Sequence, residues 1–344
     1  MGQTNQAAWL REVKQTFAIG PSEIGKPGKD EVLVRNHAIA INPVDHLQQS
    51  GGYPAGPLPR ILGNDIAGEI IEVGEKVTQF RKGDRVLGHC TALNTDEPKH
   101  GGFQENTVVP TVGCAAIPED MQYEDACVLP LAISTAAMGL FHREHLGLRL
   151  PSAVQKEPLK GNAGTVLVWG GSSSVGSAAI QLAVAAGYTV ITTSSPRNYP
   201  LCKSLGATEV FDHASLSIVG DLTRAIQQYN FVGAFDAIST RDTQLNIAQV
   251  LAQLGGGRMA LTLPATPDIP ATVDVKMVFA VFILDQDKAL GRAIYGDFLP
   301  AALKDGRIKP APRADVVGNG VEHIQAAAVK LRAGVSGSKV VVTL

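Results

Sequence analysis

The stretch Thr165-Val166-Leu167-Val168-Trp169-Gly170-Gly171-Ser172-Ser173-Ser174-Val175-Gly176 limits the folds open to this chain more than any other. Five residues of strand character run into a turn of small residues, and from Val175 apolar and small side chains recur at helical spacing as far as Gly187. A second β-rich run, Tyr188 to Thr193, closes a βαβ unit of about 30 residues, the size at which a parallel crossover closes. Residues without bulk let the backbone approach a pyrophosphate, and the free N–H groups and positive end of the following helix face the anion. Against the G-x-G-x-x-G spacing, Gly171 and Gly176 match, while the middle position is Ser173, whose hydroxyl offers a donor to a phosphate oxygen. Gly170, Ser172, Ser174 and Val175 complete the expected cofactor-binding turn. A plain Gly/Ser surface turn would leave the strand before it, the helix after it and the returning strand without a purpose.

The end of the second strand decides which dinucleotide fits. An NAD site usually offers an acid there to the ribose 2′-hydroxyl, and an NADP site replaces it with a cation for the 2′-phosphate. The chain reads Thr192-Thr193-Ser194-Ser195-Pro196-Arg197-Asn198-Tyr199, with no acid, so NADPH is the expected cofactor. Ser194, Ser195 and Arg197 are the candidate contacts, Arg197 as a planar fork for phosphate, with Tyr199 placed to flank it. An exposed arginine in a polar loop is the competing explanation.

At 344 residues the chain suits two domains of moderate size, and 45% hydrophobic residues predict packed cores. A formal net charge of -2 and the lack of a long basic run predict no nucleic-acid partner. Cys90, Cys114, Cys127 and Cys202 form no C-x-x-C pair, which disfavours a disulfide scaffold or a four-cysteine zinc site. With no signal-like N-terminus and no apolar run read as reaching the roughly 20 residues that span a bilayer, a cytosolic protein without membrane attachment is expected.

Up to residue 130 the chain is β-rich, with strands expected at Glu31–Asn36, Ile66–Gly74 and Asn106–Val109, and an exposed loop over Asn94–His100. Leu129 to Leu146 reads as a helix crossing into a second domain, and Arg149 to Gly164 as a loop. Helix and strand then alternate as in a doubly wound sheet: helix at 199–205, strand at 209–211, helix at 219–229, strand at 234–238, helix at 242–254, strand at 258–263. Val275 to Leu284 reads as one dense apolar strand, followed by helices Asp287–Lys304 and Ile324–Leu331 and a terminal strand Lys339–Thr343.

Along nearly its full length the chain resembles the medium-chain dehydrogenase/reductase superfamily. The matches, in the family's order, are Asn42-Pro43-Val44-Asp45, Leu62-Gly63-Asn64-Asp65-Ile66-Ala67-Gly68, Gly83-Asp84-Arg85-Val86, Gly101-Gly102-Phe103-Gln104-Glu105, the nucleotide turn and Ser204-Leu205-Gly206-Ala207. The turn, Ser195-Pro196-Arg197-Asn198 and Leu146-Gly147-Leu148 look most like the zinc-independent quinone-oxidoreductase and enoyl-reductase branch, in particular the fungal trans-acting enoyl reductases of secondary metabolism. The resemblance implies an α/β protein with a GroES-like β-barrel catalytic domain, residues 1–127 completed by 295–344, and a Rossmann domain with a doubly wound parallel sheet, residues 128–294. Zinc-using members carry a cysteine shortly before the aspartate of the first motif and a histidine after the glycine of the second. Those places hold Pro43 or Val44 and Asn64 here, and such side chains cannot replace thiolate and imidazole, so no metal is expected. His142 and His145 stand three apart on the expected crossing helix, and Arg143 and Glu144 beside them suggest surface histidines rather than a ligand pair.

Without a metal to polarise a carbonyl, conjugate reduction suits NADPH: a hydride reaches the β-carbon of an electron-poor alkene, and the developing enolate needs a proton. Tyr53 falls where thioester enoyl reductases of this resemblance carry a proposed acid, and a phenol keeps its proton at neutral pH; the alternative is a tyrosine closing a Gly/Pro turn. The resemblance also brings Asn64 and Thr135 towards the nicotinamide, a core hydroxyl being the alternative for Thr135, and Asn42 and Asp45 in its first motif are turn-holding or cleft-lining residues; Ser239, at the carboxyl end of the fourth nucleotide-domain strand, is placed to approach the cofactor. The expected substrate is a small molecule, an enoyl thioester carried by a partner polyketide synthase. A quinone or small enone is the enzymatic alternative, and an NADPH-binding interaction protein without turnover the non-enzymatic one. The Val275–Leu284 run either extends the sheet across a homodimer or lies buried as an ordinary strand.

Overall fold

The computed structural model describes residues 5–154 and 163–344, so part of the expected Arg149–Gly164 loop lies outside the described residues. The chain forms two compact units and crosses between them four times: residues 1–131, 284–296 and 313–344 make one, and residues 132–283 and 297–312 the other.

The first unit is built on antiparallel ladders. The strand Glu31–Ala40 is its centre, pairing with Asp65–Val73, with Asn106–Pro110 over its first half and with the C-terminal strand Ser338–Thr343 over its second. The ladder continues through Arg85–His89 to Cys114–Ala116 on one side and to Arg313–Asn319 on the other. A three-stranded sheet of Ala18–Ser22, Asn5–Leu10 and Arg60–Ile61 completes the unit. Leu10, Ile39, Ile61, Ile66, Ile70 and Phe103 fill its core with Ile324, Ala327 and Val340, so residues far apart in the chain share one buried apolar cluster.

The second unit holds six parallel strands in the spatial order Glu209–Asp212, Thr189–Ser194, Thr165–Trp169, Phe231–Asp236, Gly257–Leu261, Val273–Met277. The chain adds two strands on one side of Thr165–Trp169 and then returns to add three on the other. This reversal leaves a crevice beyond the carboxyl end of Thr165–Trp169, where ligands of doubly wound sheets bind. All five residues of this strand are buried, because helices cover both faces of a parallel sheet.

Several expectations are corrected. Val275–Leu284 is not one strand: the strand is Val273–Met277, and Phe282–Asp285 is a short helix. The neighbouring strand stops at Leu261, which pairs with Met277, so the ladder ends there although the apolar run continues. The crossing helix is Pro130–Phe141, shorter than expected, because Leu146 belongs to a turn whose amide bonds back to Gly139 at 3.2 Å. His145 is not a surface residue: it is 9% exposed, and its Nε2 lies 3.1 Å from the carbonyl of Met277. The run Tyr123–Phe141 is, by length and composition, long and apolar enough to cross a membrane, but 83% of its most apolar window is buried inside the protein. The Asn94–His100 segment is anchored, with His100 4% exposed between Thr95 Oγ1 at 2.8 Å and Glu31 Oε1 at 3.1 Å. That histidine holds the Glu31 carboxyl below its usual range.

Candidate functional sites in each unit

The nucleotide turn is assembled by its own side chains and by the strand beside it. Gly170 adopts φ +81°, a conformation that glycine supplies without steric cost, and a Cβ there would strike Ile238. At Gly176 a Cβ would strike the Gly170 carbonyl, so the helix Ser174–Ala185 can start against the turn only with glycine in this place. Ser173 is the N-cap of that helix, its Oγ accepting the Gly176 amide at 3.0 Å. The serine in the middle-glycine position is therefore first a cap, with its own O–H left as a donor. Ser174 Oγ is buried and has no hydrogen-bond partner among the described residues, which suits a phosphate oxygen arriving at the helix N-terminus. Val175 stands in the first turn of the same helix.

The second strand delivers the segment Ser194–Tyr199 to this turn. Ser194 Oγ donates to Ser172 Oγ at 3.1 Å, and Asn198 Nδ2 reaches the same oxygen at 3.3 Å. Asn198 therefore joins the constellation, although it carries no motif signal. Ser195 Oγ lies 3.1 Å from His213 Nε2. Arg197 sits in the 3-10 turn Pro196–Asn198, exposed and without an ion pair among the described residues, and Tyr199 follows it at the start of a helix. Burial, then Asp212, raises the Tyr199 phenol above its ordinary value.

Ser239 is occupied in holding strand ends together. Its Oγ donates to the Asp236 carbonyl and accepts the Thr262 amide, both at 2.8 Å. Its φ of +57° is uncommon for a serine and is held by its own amide on Asp236 Oδ1 at 2.8 Å. Thr135 is 8% exposed on the crossing helix.

In the first unit, Asn42, Asp45, Asn64 and Asp65 meet Lys339 in a buried polar network. Asn42 precedes the helix Pro43–Ser50, and its amide donates to Asp45 Oδ2 at 2.8 Å. Asn64 Nδ2 donates to Asp45 Oδ1 at 2.9 Å. Asp65 Oδ2 accepts Asn42 Nδ2 at 2.9 Å and Lys339 Nζ at 3.0 Å, and its Oδ1 accepts the Leu131 amide at 2.6 Å in the first turn of the crossing helix. Lys339 Nζ also donates to Asn42 Oδ1 at 2.6 Å. Burial pushes the Asp45 carboxyl up to about 7 against the opposing pull of Asn42, Lys339 and Asn64, while Asp65 adds to the rise. Asn64 Oδ1 is left buried without a partner among the described residues. Tyr53 is set apart, half-buried in the loop after that helix, its amide donating to Leu47 O at 3.1 Å and its hydroxyl unbonded among the described residues.

These donors do not suit zinc. Asn64 is an amide engaged with Asp45, and burial raises the thiols of Cys90, Cys114 and Cys127 away from the thiolate form. Among the described residues no group of three or more His, Cys, Asp or Glu side chains could hold a metal ion.

A six-stranded parallel sheet with a small-residue turn at its switch point is the architecture of a doubly wound nucleotide-binding unit. The family described as "Alcohol dehydrogenase GroES-like domain" matches residues 28–119, and "Zinc-binding dehydrogenase" matches residues 174–292. Dehydrogenase azaJ of Aspergillus niger is 40% identical, covering 99% of this chain and 99% of its own length. Trans-enoyl reductase himH of Aspergillus japonicus is 36% identical over 99% of this chain and 97% of its own. An alcohol dehydrogenase superfamily protein from Novosphingobium aromaticivorans has a similar structure, with a TM-score of 0.79, 25% identity and coverage of 99% and 100%. The chain belongs to the medium-chain dehydrogenase/reductase superfamily, a family of oxidoreductases whose Rossmann unit implies a nicotinamide cofactor.

Proposed function

We propose that this chain is an NADPH-dependent, metal-free reductase of activated carbon–carbon double bonds, acting on an enoyl thioester of polyketide type presented by a carrier domain of a partner synthase. The observation that carries the cofactor choice is the segment Ser194–Tyr199, which ends the second strand with no acid and with an exposed Arg197 that has no ion pair among the described residues. The name of the himH relative supports the reaction class. When bound, the reduced nicotinamide supplies the hydride. Gly170 to Gly176 admit the pyrophosphate to the helix N-terminus, Ser174 Oγ offers it a donor, and Arg197 with Ser195 holds the 2′-phosphate. Tyr53 holds the proton that the enolate takes, at its phenol oxygen. Asn64 stays anchored on Asp45, and Thr135 is carried by the crossing helix.

The outer edge of Val273–Met277 has no strand partner among the described residues, and a second copy paired there across a twofold axis would give a homodimer. The mass in solution tests this.

The function is tested by NADPH oxidation with purified, metal-analysed protein and a short enoyl pantetheine thioester, with a simple quinone and NADH in parallel. Thioester turnover with NADPH is expected. Turnover of the quinone alone overturns the substrate class, equal rates with NADH overturn the cofactor choice, and stoichiometric zinc overturns the metal-free mechanism.

A further inference from the structure

Arg60 opens the short strand Arg60–Ile61 and is 6% exposed, yet it belongs to no motif. Its guanidinium has two sides in use. Nη1 donates to the carbonyl of Ala55, two residues past Tyr53, and Nη2 donates to the carbonyls of Ala92 and Thr95, the latter at 2.8 Å. The carboxylate beside it, Asp96, lies 3.7 Å away and is 68% exposed, so backbone carbonyls chiefly hold this cation. A rigid planar fork can bridge two segments in this way, whereas an ammonium is a point charge on a flexible stem. Gly56, at φ +75°, completes the fit because a Cβ there would overlap the guanidinium.

Each bridged loop is also fastened separately. Gly52 and Tyr53 donate their amides to Leu47 O at 2.8 and 3.1 Å, and Gln48 Nε2 donates to Pro54 O at 3.1 Å. On the other side, Thr95 bonds to His100 at 2.8 Å. Arg60 links the far end of the Tyr53 loop to the segment Ala92–Thr95.

We infer that Arg60 is a positioning residue for Tyr53, clamping residues 53–56 against residues 92–95 so that the phenol is presented in one place. The kinetic part rests on the role given to Tyr53 above. The position matters because a misplacement of about 1 Å can cost about a hundredfold in rate.

The test uses the full chain with Arg60→Met and Arg60→Lys, the second keeping the charge without the fork. Amide hydrogen exchange at residues 52–56 and 92–96 should lose protection together in both variants. Turnover should fall about tenfold to hundredfold, with the KM for NADPH unchanged. In a Tyr53→Phe background the Arg60 substitutions should cost little more, since both remove the same placed hydroxyl. Unchanged exchange, loss in one loop alone, full rescue by lysine, or losses that multiply with Tyr53→Phe would each overturn the clamp. If the Arg60 variants do not fold, Gly56→Ala, which crowds the guanidinium, is read in the same way. Full turnover by Tyr53→Phe alone removes the acid role of Tyr53 and the kinetic part with it, whereas the exchange result still judges Arg60 itself.

Discussion

The nucleotide turn and the Asp45 network are both small polar sites at strand ends, and they are made in opposite ways. The turn is drawn mainly from consecutive residues, 170–176, and works through backbone groups and short hydroxyls. The network collects residues 42, 45, 64, 65 and 339, which meet only after the C-terminal strand has paired with Glu31–Ala40. A local site of this kind tolerates little added bulk, because its function is close approach. A non-local site tolerates little removal, because each polar group in it is buried against another. Substitutions should therefore fail in different currencies: ligand affinity in the turn, fold stability in the network.

The largest effect is expected for Lys339→Met. Lys339 and Asp65 have side chains 5% and 0% exposed, and losing the cation leaves a buried carboxylate without its counter-charge. A loss of about 3–5 kcal/mol in denaturant unfolding is expected. Adding Asp65→Leu sharpens the point: the charge is gone, but the Leu131 amide and Asn42 Nδ2 then lose their acceptor, so stability should not fully return. Full recovery would show that the network acts as one ion pair and nothing more.

Next is Gly176→Val, which drives a side chain into the Gly170 carbonyl. Overpacking costs about 1–3 kcal/mol, and at a turn whose work is approach to phosphate this should appear as about tenfold to hundredfold weaker NADPH binding in a fluorescence titration. Unfolding without an affinity change would remove the turn from the cofactor site. Arg197→Ala is expected to be milder, since the side chain is exposed: the NADPH-to-NADH affinity ratio should drop about tenfold, with NADH binding unchanged. An unaltered ratio would mean that the 2′-phosphate is read by Ser194, Ser195 or Asn198 instead.

The same contrast explains what could be read from residues alone. Periodicity and small-residue spacing are local properties, so the strand–turn–helix and the alternation after it were legible, and the resemblance supplied the GroES-like unit. Ser173 lies in the turn, and its capping of Gly176 depends on backbone geometry that spacing does not express. Lys339 and Arg60 carried no signal, since a cation acquires meaning only from what the fold brings to it, respectively Asp65 and three carbonyls. The Val275–Leu284 run misled for the reverse reason: an apolar run says that residues are buried, while the end of a strand is set by its neighbour, which stops at Leu261.

The last effect is read as a slope rather than a single loss, in the pH dependence of the network. Asp45 is raised to about 7 in the folded protein and titrates in the usual carboxylate range when unfolded, so over that interval the native state binds more protons. Stability from this group therefore falls as pH rises from about 4 towards 7 and changes no further above that, with a slope of at most about 1.4 kcal/mol per pH unit. Asp45→Asn should flatten that part of the stability profile, compared slope against slope because the new amide meets the Asn42 and Asn64 donors and shifts the absolute value. A slope unchanged by the substitution would mean that Asp45 stays ionised throughout, held by those two donors. The network would then be a fixed acceptor for Asn64 rather than a group that exchanges protons near neutrality.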